Sequence, residues 1–589
     1  MKNKILLLGL LFSVTFSSCT DWLDIKPLNS MVMEDFWKTK DDVESVVMAS
    51  YEAMTTADLL SRLIVAGELR SDNVAKGSNV GTEIEDIFNV TMQETNYYAK
   101  WDSFYKVISY CNNVIEFAPG VQKLDPDYTD GLLKIHLAEA KTIRALMYFY
   151  LVRIYKNVPF IDKPYVDDTQ NTQIPQMDGD LLLRTYIVPD LLESEGWALK
   201  SRGNIFLSNS ARINNKGRIT KNAVRALLAD VYLWLNEYDE CSKACDRVLA
   251  EELTDEEFDQ ARIEKFTNLT GSELYLLSNK TGTTPIRSNT YPFIFGGNGE
   301  QFEENNNGVE AFGNSNESIF ELQMRTTNGG RGVVYTFYGS SSGGQILYAS
   351  SLNEWNIFTS RGTDYRQKEF YYAPAAASNA TAAEPAKILK YVGRRTGDSS
   401  VDMNSSSEEV NWIFYRLPDV ILMKAEALVE RNSENDLEDA FNLVFRVNDR
   451  SNPNSDLKYA SFNSQDAMRK LVLLERQREF LFEGKRWFDL LRITRREGSS
   501  QSVVTNYLSR NFTFGDVIES KLTDLNAFYF PVHKDELTSN LALEQNPYYE
   551  TEVNYDEENP EDGGSTGEEG TGEEGTGEEE TNQEGNSQE

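Results

Sequence analysis

Apolar residues recurring every three or four positions constrain this chain most, because each such stripe must be buried against another helix. Stretches with this period run over Glu34–Met54, Trp101–Phe117, Leu132–Tyr155, Leu181–Leu199 and Lys221–Glu251, and resume at Tyr415–Glu430, Leu437–Val447 and Ser464–Leu491. Pro159, Pro164 and the Ser201–Gly217 stretch punctuate the first set. In RALLADVYLWLNEYDECSKACDRVL, Leu228, Ala229 and Tyr232 are followed by Cys241, Cys245 and Val248. That spacing lets two helices interlock as a hairpin. Ala425 and Leu428, followed by Ala440, Val444 and Val447, repeat it with a longer loop, and Ala145 and Tyr148 open a third candidate. Three such pairs predict stacked helical hairpins of the tetratricopeptide kind. The pattern also explains Cys241 and Cys245 as core packing, since no third or fourth thiolate or histidine lies near enough in sequence to complete a metal site.

Between about 271 and 409 the chain changes character, becoming rich in Gly, Asn, Ser and Tyr with short apolar runs such as Ile319–Leu322. This reads as a loop-rich insert in a mainly α scaffold of about 30–270 and 410–500. Composition closes several functions. With 93 Asp and Glu against 58 Lys and Arg, the net charge of −35 lacks the basic footprint that nucleic-acid binding needs. Two histidines, His136 and His533, stand too far apart in sequence to suggest a His-rich metal centre or a His-based triad. There is no phosphate-binding G-x-x-x-x-G-K-[ST] loop. Asp125–Gly131, DPDYTDG, departs from an EF-hand and reads as an Asx/Pro turn. The expectation is a protein that is not an enzyme and needs no cofactor or metal.

The N-terminus carries an address. Lys2 and Lys4 precede an apolar run from Ile5 to Phe16 and then Ser17-Ser18-Cys19. This is the layout of a secretory signal and too short to span a bilayer. The placement of Cys19 resembles a bacterial lipobox, which makes residues 1–18 a signal peptide and Cys19 the lipid anchor. At the other end, residues 551–589 hold fifteen acidic and no basic residues, including GSTGEEGTGEEGTGEEE. Removing that tail and the two N-terminal lysines leaves 78 acids against 56 bases, a body charge of −22. Without apolar residues to bury, the repeat is expected to be a disordered extension.

Four stretches together resemble the SusD/RagB family of outer-membrane nutrient-binding lipoproteins. They are EAKTIRALMYFYLVRIYKNVPF (Glu139–Phe160), GRITKNAVRALLADVYL (Gly217–Leu233), YRLPDVILMKAEAL (Tyr415–Leu428) and ERQREFLFEGKRWFDLLR (Glu475–Arg492). The closing FYFPVHKDELTSNLALEQNPYY (Phe528–Tyr549) and the N-terminal CTDWLDIKP and DFWKTKDDVESVVMASYEAM are similar too, so the likeness covers Cys19 to Tyr549. It implies a mainly α fold of tetratricopeptide-like hairpins with an irregular insert, spanning 19–550. It also implies a surface lipoprotein of a Gram-negative outer membrane, partnered with a TonB-dependent SusC-like transporter and capturing a glycan or a peptide. Within ERQREFLFEGKRWFDLLR, acids and arginines recur mostly at three- and four-residue intervals, which predicts ion pairs along a helix that Gly484 ends or bends.

A glycan site needs aromatic faces beside polar groups in a recess. Two regions have that composition. Tyr291, Tyr335, Phe337, Tyr338 and Trp355 lie in the Gly/Asn/Tyr-rich insert, and Gly329-Gly330 and Gly343-Gly344 bracket Tyr335–Tyr338 as an expected mobile aromatic finger. Nearer the N-terminus stand Arg70, Asp72 and Asn73, with Tyr97, Tyr98 and Trp101, although Trp101 opens an amphipathic helix whose period favours the core. A lipid-anchored repeat scaffold that binds only proteins fits the Tyr/Gly/Asn-rich insert poorly. A secreted glycan hydrolase would need two carboxylates about 5–9 Å apart across a cleft.

Replacing Cys19 with Ala should release the protein from membranes, and its retention after a high-salt wash would refute the anchor. Deleting residues 551–589 should leave the melting temperature and ligand affinity unchanged; a loss of several degrees would show that the tail docks on the body.

Overall fold

The computed structural model describes residues 36–553, except 79, 167–168, 204–208, 253–290, 296–312, 325–331, 340–344, 351–356, 359–363, 374–384, 398–399, 404–409, 453 and 510–514. The signal segment with Cys19, the acidic tail and Trp355 therefore lie outside the described residues.

The periodic stretches are helices. In the first half they are α1 (Lys40–Met54), then, outside those stretches and not expected from them, α2 (Ala57–Glu68), followed by α3 (Asp102–Val121), α4 (Asp130–Tyr155), α5 (Val188–Trp197), α6 (Lys221–Trp234) and α7 (Tyr238–Leu249). In the second half come α8 (Leu417–Arg431), α9 (Asp436–Ser451), α10 (Gln465–Phe480) and α11 (Arg486–Glu497). Side chains mark several boundaries. Thr39 and Asp42 close a capping box on α1, Thr129 and Ser464 cap α4 and α10, and left-handed Asn432 and Gly498 end α8 and α11.

The helices stack neighbour on neighbour: α1 on α3, α3 on α4, α4 on α5, α5 on α6, α6 on α7, α7 on α8, α8 on α9, and α10 across both α8 and α9. The hairpins α6–α7 and α8–α9 thus adjoin although the insert separates them in sequence. Ala229, Cys241, Cys245, Ala425, Ala440 and Val444 are fully buried, and the Cys241 sulfur lies 3.9 Å from the Met423 carbonyl oxygen. Both cysteines are core, as expected. So is the turn at Asp125, whose carboxylate accepts the N–H groups of Asp127 and Lys40.

Two periodic stretches divide. Lys221–Glu251 breaks between α6 and α7 at left-handed Asn236. Ser464–Leu491 breaks after α10, where Phe482 and Gly484 have positive φ. The close approach of the two elements fixes a second glycine, Gly67 of α2, because a Cβ there would fall 1.9 Å from the Gly484 carbonyl oxygen. The start of Tyr415–Glu430 is also not helix, because Pro418 at the head of α8 leaves the preceding residues extended.

Those residues belong to one of four strands that tie the insert to the scaffold: β1 (Val74–Lys76), β2 (Ser318–Leu322), β3 (Leu347–Ala349) and β4 (Trp412–Arg416). β1 pairs antiparallel with β3, Val74 opposite Ala349, and β2 pairs antiparallel with β4. β2 and β4 are buried along their whole length, so neither strand has a solvent face.

Around them lies a buried ion network. Arg416 reaches Glu479 at 2.5 Å, Glu483 at 2.7 Å and Glu317 at 3.0 Å; Arg366 reaches Glu475 at 2.7 Å and Glu479 at 3.0 Å. Arg450 bridges Glu317 and Glu479, and Lys390 contacts Glu483 at 2.6 Å. The spacing in ERQREFLFEGKRWFDLLR predicted pairs along one helix. Arg478–Glu475 and Arg492–Asp489 are of that kind, but most partners come from elsewhere, including Glu426 for Arg492. Burial pushes the Glu479 carboxyl up, yet its three arginines overrule that and hold it well below the usual carboxylate range.

Glu479→Gln should therefore cost about 3–5 kcal/mol of stability by leaving guanidinium charge buried without its partner. Urea unfolding checks this, with Lys470→Ala, which breaks the exposed Lys470–Asp466 pair, expected to leave the midpoint unmoved.

Candidate functional site

Burial removes most of the expected ligand contacts. Tyr338 has no exposed surface, and Phe337 is buried beside it. The glycine-bracketed segment is not a mobile finger at this point but a short helix, Val333–Tyr338, packed on α2, with Tyr338 near the Phe482 ring. Tyr335 on the same turn is half-buried. Tyr291 is core: its hydroxyl lies 2.6 Å from the Ser451 hydroxyl, and its ring stands edge-on to Phe370. Trp101 is core too, with its ring edge-on to Tyr155.

Arg70, Asp72 and Asn73 hold the fold together. Arg70 is buried between the rings of Trp487 and Phe530 and donates to the carbonyls of Ala527 and Phe528 at 2.8 and 2.7 Å. It clamps the C-terminal segment to the end of α2. Asp72 makes a two-point pair with Arg486, at 2.7 and 2.9 Å, and accepts from Gln477. Asn73 is fully buried, donating to Glu68 and accepting from Gln477. Burial raises the Glu68 carboxyl to about 7, against the pull of Asn73 and of the Gly484 N–H that also bonds it.

What remains at the surface is the turn Tyr97–Ala99. The buried Asn96 side chain accepts the Tyr98 N–H at 2.9 Å and donates to the Glu83 carbonyl at 3.0 Å, which fixes the turn. Tyr97 and Tyr98 are half-buried and meet edge-to-face with centroids 5.2 Å apart. The N-terminal half of α2 holds Tyr97 in place. Its hydroxyl donates to Asp58, and the Arg62 guanidinium lies 4.7 Å from its ring centroid. Arg62 also donates to the Tyr97 carbonyl and to Ser103 and pairs with Asp102 at 3.4 Å. Burial, then the bond to Asp58, raises the Tyr97 phenol to about 12, so it stays a neutral donor at physiological pH. Beside the turn, Lys100 pairs with Asp535 at 2.8 Å.

The structure thus brings Tyr97, Tyr98 and the helix bearing Tyr335 to a single helix, α2. Tyr97 and Tyr98 form a partly exposed aromatic pair beside Asp58, Glu83 and Asp102. Asp58, Arg62, Asp102 and Asp535 were missed in the sequence. Arg62 left one trace there, a lone cation inside the apolar run LLSRLIVA, where a buried charge needs a partner.

Two families match the chain. One, described as the SusD family, covers residues 300–549; the other, described as starch-binding and associating with the outer membrane, covers residues 21–233. A SusD-like protein P38 from Formosa agariphila is 25% identical over 493 residues, which is 81% of this chain and 88% of that protein. A SusD-like protein from Bacteroides ovatus is 23% identical, covering 83% of this chain and 82% of its own length. A SusD superfamily crystal structure from Bacteroides vulgatus superposes with a TM-score of 0.63 at 15% identity, covering 87% of this chain and all of its own. Another, from Bacteroides thetaiotaomicron, gives 0.60 at 20% identity over 87% of this chain and 99% of that one. The two family matches lie in the N-terminal and C-terminal parts of the chain, its relatives and structural neighbours carry the same family name, and the chain belongs to the SusD family.

Proposed function

We propose that the protein captures an oligosaccharide on the outer surface of the outer membrane, with Tyr97 and Tyr98 as its platform, and hands it to a TonB-dependent SusC-like transporter. One observation carries this reading: Tyr97 is a partly exposed ring fixed from α2 by Asp58 and Arg62 before any ligand arrives. A side chain already ordered gives up little conformational freedom on binding, so more of the contact energy appears as affinity. The description of the N-terminal family match, starch-binding and associating with the outer membrane, supports both ligand class and location. Among the described residues no helix is long and apolar enough to cross a membrane, which leaves Cys19 as the proposed anchor.

Tyr335 is proposed as a second contact, on the segment that packs against α2. Peptide capture uses the same surface and is separated by the choice of probe.

Tyr97→Ala should weaken binding of an oligosaccharide by about 1–3 kcal/mol, a magnitude taken from stacking of planar rings on aromatic side chains. Calorimetric titration reads the affinity, and an unchanged unfolding midpoint shows that the fold is intact. Full affinity in a folded Tyr97→Ala protein would shift the site towards Tyr335.

A further inference from the structure

The groups around Tyr97 carry a charge preference that the aromatic rings alone do not. Glu83 meets the Tyr97 N–H at 3.4 Å, and Asp58 holds its hydroxyl. Asp102 and Asp535 stand on the rim with side chains 60% and 67% exposed. Among the described residues two cations, Arg62 and Lys100, touch this segment, and both are committed. The Arg62 side chain is 2% exposed and divided among the Tyr97 ring, the Tyr97 carbonyl, Ser103 and Asp102. The Lys100 ammonium is held by Asp535. Asp58, exposed at the start of α2, is the acceptor of the Tyr97 hydroxyl.

Resting on the reading of Tyr97 as a glycan platform, we infer that the site takes an uncharged oligosaccharide and turns away uronate-rich or sulfated ones. Neutral hydroxyls can donate to the rim carboxylates. A sulfate or carboxylate meets like charges and can gain a cation only by breaking the Arg62–Asp102 or Lys100–Asp535 pair. Discrimination of this kind comes from an unfavourable contact with the wrong ligand rather than a better one with the right ligand. The net charge of the chain acts in the same direction, although salt confines that contribution to about 8–10 Å.

The test uses matched pairs on one backbone: dextran with dextran sulfate, and hydroxyethyl cellulose with carboxymethyl cellulose, alongside starch. Binding is read by affinity electrophoresis and titration on the full chain. At least one neutral polymer should retard the protein, with its charged derivative about tenfold weaker at low salt and the gap narrowing at 0.5 M salt. Asp535→Asn, which frees Lys100, should move the ratio several-fold towards the charged derivative. The inference is overturned if the charged member binds more tightly, if no neutral polymer binds, or if neither salt nor Asp535→Asn moves the ratio. The underlying reading fails separately: Tyr97→Ala would then leave the affinity of every bound probe unchanged. If Tyr97→Ala weakens a charged derivative that the wild type prefers, the platform stands and the selectivity is wrong.

Discussion

Glu479 sits without exposed surface and takes guanidinium groups from Arg366, Arg416 and Arg450. Removing a carboxylate and three arginines from water is costly unless every partner is in place. The partners come from separate parts of the chain: Arg366 from the insert, Arg416 from the end of β4, Arg450 from α9. Glu317, at the head of β2, joins Arg416 to Arg450. Electrostatic neutrality at this point therefore requires the insert, the central strands and the last helical hairpin to be in register together. The hydrophobic stack supplies the bulk of the core, while the ion network selects which arrangement of its layers is allowed.

That division explains what the sequence could disclose. The hairpin of Ala229, Tyr232, Cys241 and Cys245 was legible because its contacts lie within one repeat, where spacing and space coincide. The arginines and acids of ERQREFLFEGKRWFDLLR were legible as ion-pair formers but not as partners, since Arg366, Arg416, Arg450, Asp72 and Glu426 stand far outside the helix's own turns. Tyr415 and Arg416, the end of β4, were read as the beginning of a helix because a run buried on both faces shows no alternation; only Pro418 marked the boundary. Tyr335–Tyr338 misled for a related reason. Glycines on both sides suggested freedom, but composition does not reveal that α2 lies across the segment and buries Phe337 and Tyr338. Of the two clusters of candidates, Tyr97, Tyr98 and Tyr335 keep part of their surface exposed, while Arg70, Asn73, Trp101, Tyr291, Phe337 and Tyr338 are buried.

The surviving platform and the scaffold share α2. Asp58 and Arg62 at its beginning position Tyr97, whereas Gly67 and Glu68 at its end pack against the Gly484 turn. Rigidity at the Tyr97–Tyr98 turn thus comes both from its own Asn96 bonds and from α2, which the core holds in place.

The clamp at the end of α2 also bears on how such a chain comes to be folded. Glu68, Arg70 and Asp72 find their partners 416, 457 and 414 positions further along, at Gly484, Ala527 and Arg486. Closing loops of that length costs entropy before any contact repays it, so assembly is governed by late, distant encounters. A ribosome or an export channel delivers the N-terminal residues first, and these cannot complete their own packing until nearly the whole chain has followed. The end of α2 is therefore left without its partners until those distant segments arrive, whereas α1, α3 and α4 can already pack on one another.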